Sequence, residues 1–538
     1  MSGPLTSPAT AELLGKREPP QPPQPAGLAG SPRRKGNSAM SDASMIIGAA
    51  YAAQALTFFA GIIQKGLLGP VGAGFWALMQ SFWQLSKIAQ IGAFDGASRQ
   101  IPFHRGREDY ESAAASADTG FTFSLVAMTV LGALLATFAL AFGEGWAPEM
   151  RYGLVLLGVT GPLRLLADIH LALLHATRRF RTASAATILV AALGLTVQTA
   201  LVALYGFYGM FLGTAVASLG ALALYVRLGL TGRRRPAFTW RIDRSHMREL
   251  VAYGFPFMVF SQIWLLFAGI DSLIIAGFID VENLGYYALA VSVTTYILHM
   301  PKSIGQALFP RMAERYGQTG EVSSLARYAT DAQQLLAFVL VPAFVAGAFY
   351  LFPVLIRHAL PEFEPAIAVV HIMAAGSFVL ALCNLPIKAM LTAGRRRVLI
   401  LLVTVCLGIN AAANYVAVAV LDRGIEGAAV ATVLSYFVVF VATSGYALTM
   451  MLGRRVMVRH VTQLIVVAVY VAVVLWSIEA LIGSGAGPLL SDALTAVAKL
   501  ALFAVLLTPW LFVAERSVQG VSRLRDAGLA VVRRIGRQ

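Results

Sequence analysis

The chain has 538 residues, 58% of them hydrophobic and only 13% charged, with a net charge of +15 and a mean hydropathy of +0.71. Ordinary soluble domains carry about a quarter charged residues, so this composition excludes a soluble globule. The basic balance does not point to nucleic acid, because the arginines stand in short clusters between apolar runs, as in loops that orient a membrane protein. Apolar stretches of the ~20 residues needed to cross a ~30 Å hydrocarbon core recur along the chain, and in that solvent only structures that satisfy their own backbone, helices above all, are stable.

In chain order, residues 1–42 are rich in Pro, Gly, Ser and Gln and end near Arg33, Arg34 and Lys35, a composition expected to form a disordered cytoplasmic tail. Spans are expected at about 43–64, 75–98, 116–142, 150–174, 184–205 and 208–229, which make an N-lobe over 43–230. A basic cytoplasmic linker follows at 231–250. A C-lobe over 251–452 holds spans at about 251–279, 283–308, 330–356, 366–391, 398–421 and 425–451. An extra helix pair occupies 453–513, with spans at about 462–483 and 490–513. The tail at 514–538 sets Val518, Val521, Leu524, Val532 and Ile535 against Arg523, Arg525, Arg533 and Arg534, which suits a helix lying on an anionic leaflet and equally a solvated basic tail.

Alternate loops carry the arginines, including Arg105 and Arg107, Arg178 and Arg179, Arg233 to Arg235, Arg395 to Arg397, and Arg454 and Arg455. The other loops carry acids such as Glu144, Asp280, Glu362 and Asp422. The excess of positive charge in cytoplasmic loops therefore orients every span consistently and puts both termini inside.

The chain repeats itself. Gly74-Phe-Trp-Ala-Leu78 returns as Gly285-Tyr-Tyr-Ala-Leu289, Gly206-Phe-Tyr-Gly209 as Gly424-Ile-Glu-Gly427, and Leu174-His-Ala-Thr-Arg-Arg179 as Leu391-Thr-Ala-Gly-Arg-Arg396. All three offsets lie near 215 residues, from 211 to 218. Each repeat holds six spans, an even number, so the halves share one orientation and a substrate path is expected between them. The fold class is an all-α polytopic membrane protein of about 14 transmembrane helices: two parallel six-helix lobes plus a C-terminal helix pair.

Several of these features resemble the bacterial polysaccharide flippases of the multidrug/oligosaccharidyl-lipid/polysaccharide exporter superfamily. They are the span count, Leu-Gly-Pro-x-Gly-x-Gly-Phe-Trp-Ala-Leu from Leu68 to Leu78, Gly254-Phe-Pro256, Asp271, Leu284-Gly-Tyr-Tyr-Ala-Leu289 and Phe309-Pro310-Arg311. The resemblance covers about residues 43–451. It implies a V-shaped pair of lobes that moves an undecaprenyl-diphosphate-linked oligosaccharide from the inner to the outer leaflet by alternating access. It also implies a place in the bacterial cytoplasmic membrane and work beside a polysaccharide polymerase and export machinery. A cation-coupled multidrug exporter and a peptidoglycan-precursor flippase share the architecture, and a membrane glycosyltransferase or polymerase is the enzyme alternative. Short outer loops and the absence of nucleotide, hydrolase and metal motifs argue against an enzyme, a cofactor or a metal.

Charged groups inside spans mark substrate paths or partners. For an anionic head the candidates are Lys87 and Lys302, on corresponding helices of the two lobes, with Arg164 and Lys65. Lys65, at the outer edge, guards the exit or touches headgroups. The bland reading of Arg164 is an ion pair with Asp168, four residues along one helix face. Asp271 and Asp95 are the candidates for a coupling ion. Coupling is not energetically required, since an interior negative by 100 mV drives an anion outward by about 2.3 kcal/mol per charge.

Overall fold

The computed structural model describes residues 36–177, 179–229, 240–483, 485 and 487–517. Within them the chain forms fourteen antiparallel helical rods. The N-lobe comprises α1 (36–68), α2 (70–106), α3 (Tyr110–Phe142), α4 (Pro148–Ala176), α5 (Phe180–Tyr205) and α6 (Phe207–Gly229). The C-lobe comprises α7 (244–278), α8 (Val281–Thr319), α9 (Val322–Ala359), α10 (Ala366–Thr392), α11 (Arg396–Val420) and α12 (Gly424–Leu452). α13 (Arg454–Ile482) and α14 (Leu489–Ser517) complete the bundle.

Twelve helices among the described residues are long and apolar enough to cross a membrane. Two facts carry that number to fourteen. The first of the twelve, Gly48–Gln90, is two rods joined where Gly69 takes φ 65°, ψ 178° ahead of Pro70. Glycine enters this left-handed region without the Cβ penalty that other residues meet, and proline cannot continue the helix before it. The second fact is α8, which is 39 residues long but whose apolar part is interrupted by Tyr286, Tyr287, Thr294, Thr295, Tyr296 and His299, so that it is not among the twelve.

The ends of the sequence domains shift. Residues 36–42, expected in the disordered tail, continue α1 as helix, and residues 244–250 of the expected linker form the first turns of α7, capped by Asp243. Residues 1–35, residues 231–239 of the linker and the tail beyond Ser517 lie outside the described residues.

Three of the internal repeats have structural counterparts. Gly206, just ahead of α6, and Gly424, the first residue of α12, take matching φ values of 54° and 58°. Helices end at Ala176 and Thr392, with the next beginning at Phe180 and Arg396. Gly74 and Gly285 meet across the lobes in reciprocal fashion: a Cβ on Gly74 would run into the carbonyl of Val281, and one on Gly285 into that of Pro70. Small residues let membrane helices approach to van der Waals contact where apolar lipid gives no hydrophobic drive. α2 is thus pinned to α8 near Gly69 and, beyond a break at Lys87–Gln90 and Gly92, to α7, where Gly92 and Gly254 abut.

The C-lobe is filled by one continuous core that runs from α7 to α14, with Phe338, Phe349, Phe363, Phe378 and Phe440 fully enclosed. The N-lobe has three smaller apolar clusters with space between them. The extra pair is held together by Lys499 Nζ of α14, 2.8 Å from Glu479 Oε2 of α13, and is tied to α9 by His358 Nε2, 3.0 Å from Asp492 Oδ2, and by Arg357, which donates to the Gly485 carbonyl at 2.7 Å. Lys499, a charge outside the repeat, is therefore a structural partner.

Candidate functional site

The space in the N-lobe is a chamber of about 670 Å³ between α1, α2, α4, α5 and α6, with Tyr296 and His299 of α8 reaching in from the other lobe. Its polar wall includes Gln54 and Gln64 from α1, Gln80 from α2, and Gln198 from α5. Each amide offers two donors and an acceptor, which matches the paired donor and acceptor character of sugar hydroxyls.

Two of these amides are fixed by a local irregularity. Residues Gly194–Gln198 of α5 form a π-turn, a widening that frees a backbone carbonyl and often marks functional sites. Gln64 Nε2 donates to the freed Gly194 carbonyl at 2.9 Å and to Thr199 Oγ1 at 3.2 Å. Gln198 Nε2 donates to the Met210 carbonyl at 2.9 Å and to Thr214 Oγ1 at 3.2 Å. Their nitrogens are engaged in holding the wall.

The charges at the chamber are Lys65, Arg164 and Asp168, beside the titratable His299. Arg164 does not form the ion pair expected with Asp168, which is not among the ion pairs of the described residues. Instead its guanidinium donates to Gln80 Oε1 at 3.4 Å and lies 5.1 Å from the Trp83 ring, drawn across to α2. Lys65 Nζ donates to Ser292 Oγ of α8 at 3.2 Å and, among the described residues, has no carboxylate within ion-pair distance. The wall thus holds two cations against one carboxylate.

The other expected residues stand elsewhere. Lys87 occupies the break in α2 with its ammonium 5.7 Å from the Trp83 ring, and it does not line the chamber. Lys302 is exposed on α8 next to Pro301 and does not line the chamber either. Asp95 is half-buried in the part of α2 that packs on α7. Asp271 is fully buried and accepts hydrogen bonds from Tyr287 Oη, from Thr432 Oγ1 at 3.1 Å and from the Ser272 N–H at 2.7 Å. Thr432 continues to Asn414, Asn414 to Asn410, and Asn410 to the Phe267 carbonyl, a polar chain through α7, α8, α11 and α12 apart from the chamber. Among the described residues no three His, Cys, Asp or Glu side chains gather into a metal site.

Sequence reasoning missed the glutamines and the π-turn. The glutamines carry no charge and so did not stand out. The usable signal was their presence in otherwise apolar runs, with Gln80 and Gln84 one turn apart on one helix face.

A fourteen-rod bundle of two parallel lobes around a polar interior belongs to the class of multi-pass membrane transporters. The chain belongs to the family described as polysaccharide biosynthesis protein, whose model matches residues 67–361. It is similar to a putative O-antigen transporter of Shigella flexneri, with 21% identity over 362 residues that cover 63% of this chain and 81% of that protein. Its fold is that of the multidrug/oligosaccharidyl-lipid/polysaccharide exporter superfamily. The lipid II flippase MurJ in an inward closed conformation matches with a TM-score of 0.61 at 15% identity, over 87% of this chain and 99% of that one. An inward-facing multidrug resistance transporter of the MATE family matches with a TM-score of 0.58 at 15% identity, over 76% of this chain and 95% of that one. The relatives are transporters and flippases, so the chain is grouped with carriers and not with enzymes.

Proposed function

We propose that the protein carries an undecaprenyl-diphosphate-linked oligosaccharide from the cytoplasmic to the outer leaflet of a bacterial inner membrane, for assembly of a surface polysaccharide. The observation that carries this reading is the chamber wall: four glutamine amides beside Lys65 and Arg164, with Asp168 the one carboxylate. Amides suit sugar hydroxyls and the cations suit phosphate, Arg164 as a fork and Lys65 as a mobile point charge. A carrier for cationic drugs would need the opposite balance of charge. At ~30 Å³ per water-sized group the chamber accommodates about twenty non-hydrogen atoms, enough for the diphosphate or for one or two sugar rings at a time.

The arginine-rich loops support an orientation with both termini cytoplasmic, and the shared repeat supports alternating access by rocking one lobe on the other. Two negative charges on the diphosphate make the membrane potential a sufficient drive of roughly 4 to 5 kcal/mol at 100 mV. Asp271 is the stronger candidate for ion coupling, since its partners Tyr287 on α8 and Thr432 on α12, extended through Asn414 of α11, make a unit that can respond to protonation, and Asp95 is the weaker one. A polymerase and export machinery would receive the product.

The test is flipping of a fluorescent lipid-diphosphate glycan by purified protein in liposomes under an imposed potential, with a peptidoglycan precursor and a cationic drug assayed in parallel. Glycan flipping that falls about tenfold or more in Arg164→Ala supports the reading; drug movement alone overturns it. Flipping in Asp271→Asn that keeps its potential dependence and loses any pH dependence assigns coupling to that residue, and an unchanged pH dependence removes it.

A further inference from the structure

A second cavity of about 310 Å³ opens between the lobes, bounded by α2 on one side and by α7 and α8 on the other. It shares Lys65, Ala73, Trp76 and Gln80 with the chamber, so the two spaces adjoin, with Lys65 at the junction. Their characters differ. The recess has Leu265, Leu266 and Leu273 of α7, Ala288 and Val291 of α8, and Leu85 of α2 on its walls; the amides Gln80 and Gln84 lie with Ser81 on the α2 face, and the opposite face adds only the small hydroxyls of Ser272 and Ser292. All six of those apolar residues are half-buried, which leaves the recess open on one side.

We infer that this recess holds the first isoprene units of the substrate's polyprenyl chain, while Lys65 takes the phosphate and the chamber takes the sugars. The inference rests on the proposed function and adds a tail site to it. A phosphate-linked glycolipid has three parts in fixed order: an apolar chain, an anion, and a hydroxylated head. The protein presents three environments in the same order: an apolar recess, a cation without a carboxylate partner, and an amide-lined chamber. Lys65 is held at that boundary by Ser292 of the opposite lobe, so the anion would bridge the two lobes where they rock.

Size limits the claim in a testable way. At ~30 Å³ per water-sized group, 310 Å³ accommodates about ten carbons, or two isoprene units, and the rest of the chain must lie in the bilayer. Affinity should therefore rise with tail length up to about ten carbons and then level off.

The experiment compares binding, to the purified full chain in detergent, of one glycan diphosphate carrying a methyl group, a ten-carbon prenyl chain or a longer prenyl chain. Filling the recess by Ala288→Trp should weaken the prenylated ligands about tenfold or more, since each buried methylene contributes to affinity, and leave the methyl ligand unchanged. Lys65→Ala should weaken all three. As a measurement that needs no variant, a diazirine on the second isoprene unit should label α7 and α8 near Leu266, Leu273 and Val291 in the wild-type protein. Labelling of α13 and α14 instead, or prenyl binding indifferent to both tail length and Ala288→Trp, overturns the tail site while binding of the methyl ligand leaves the transport reading standing. Failure of the wild-type protein to bind any of the three overturns both.

Discussion

The two lobes share a repeat and a helix order, yet one is hollow and the other solid. In the N-lobe, glutamines and small residues such as Ala50, Ala53, Gly61 and Ala186 face one another across α1, α4 and α5, and the helices enclose a chamber. In the C-lobe the interior is occupied by large side chains, among them Phe338, Phe349 and Phe378, and the polar residues there satisfy one another around Asp271. The recurring motifs accompany a shared helix order, and side-chain volume decides which half retains a cavity. Under the transport reading proposed above, the hollow half would hold cargo and the solid half would serve as a stiff lever.

The contrast can be broken most directly in the solid lobe. Phe349 is fully buried and stacks on His371 with centroids 4.1 Å apart. Phe349→Ala should cost about 3 kcal/mol or more of stability through the cavity it leaves, measured as a lowered unfolding midpoint in detergent with ligand affinity of the folded protein retained. An unmoved midpoint would mean that the C-lobe core is not the rigid part.

The matching change in the hollow lobe should behave in the reverse way. Arg164→Met removes a charged donor worth about 1.5–3 kcal/mol from the chamber. Glycan affinity is expected to fall about ten- to a hundredfold, with the midpoint nearly constant. Equal losses of stability in both variants would erase the distinction between the lobes.

A smaller effect is expected from the glutamines. Gln64→Leu or Gln198→Leu forfeits a neutral hydrogen bond of about 1 kcal/mol, roughly fivefold in affinity. Because each amide also ties the π-turn at 194–198, amide exchange in α5 should quicken in these variants. Unchanged exchange would show that the π-turn does not depend on them.

The smallest effect is electrostatic and lies outside the membrane-spanning segments. Asp243 caps α7, and the hydroxyl and N–H of Ser245, followed by His246, hold its carboxyl down at about 2 from the ordinary 3.8. A folded-state value below the unfolded one means the cap contributes fully above about pH 4 and is lost as pH falls toward about 2. Exchange of the first-turn amides of α7 should therefore accelerate over that interval beyond its intrinsic pH dependence, and Asp243→Ala should abolish that extra step.

The sequence by itself determined that the chain is a helical membrane protein of about fourteen helices, and it showed three short motifs that recur at an offset of 211 to 218 residues. These follow from local quantities: runs of apolar residues, the placement of arginines, and glycines such as Gly74, Gly206, Gly285 and Gly424 at turns and close approaches. It also picked out Lys65 and Arg164, because a charge inside an apolar run is visible without a structure. Only the tertiary structure decided which charges share a space. Lys87 and Lys302 look equivalent along the sequence, but the break in α2 and the path of α8 leave both outside the chamber, while Asp168 ends beside Arg164 on the chamber wall without pairing with it. A chamber is a volume left between helices. Its position depends on the sizes and rotations of side chains from five or six helices at once, and no window along one helix contains that information.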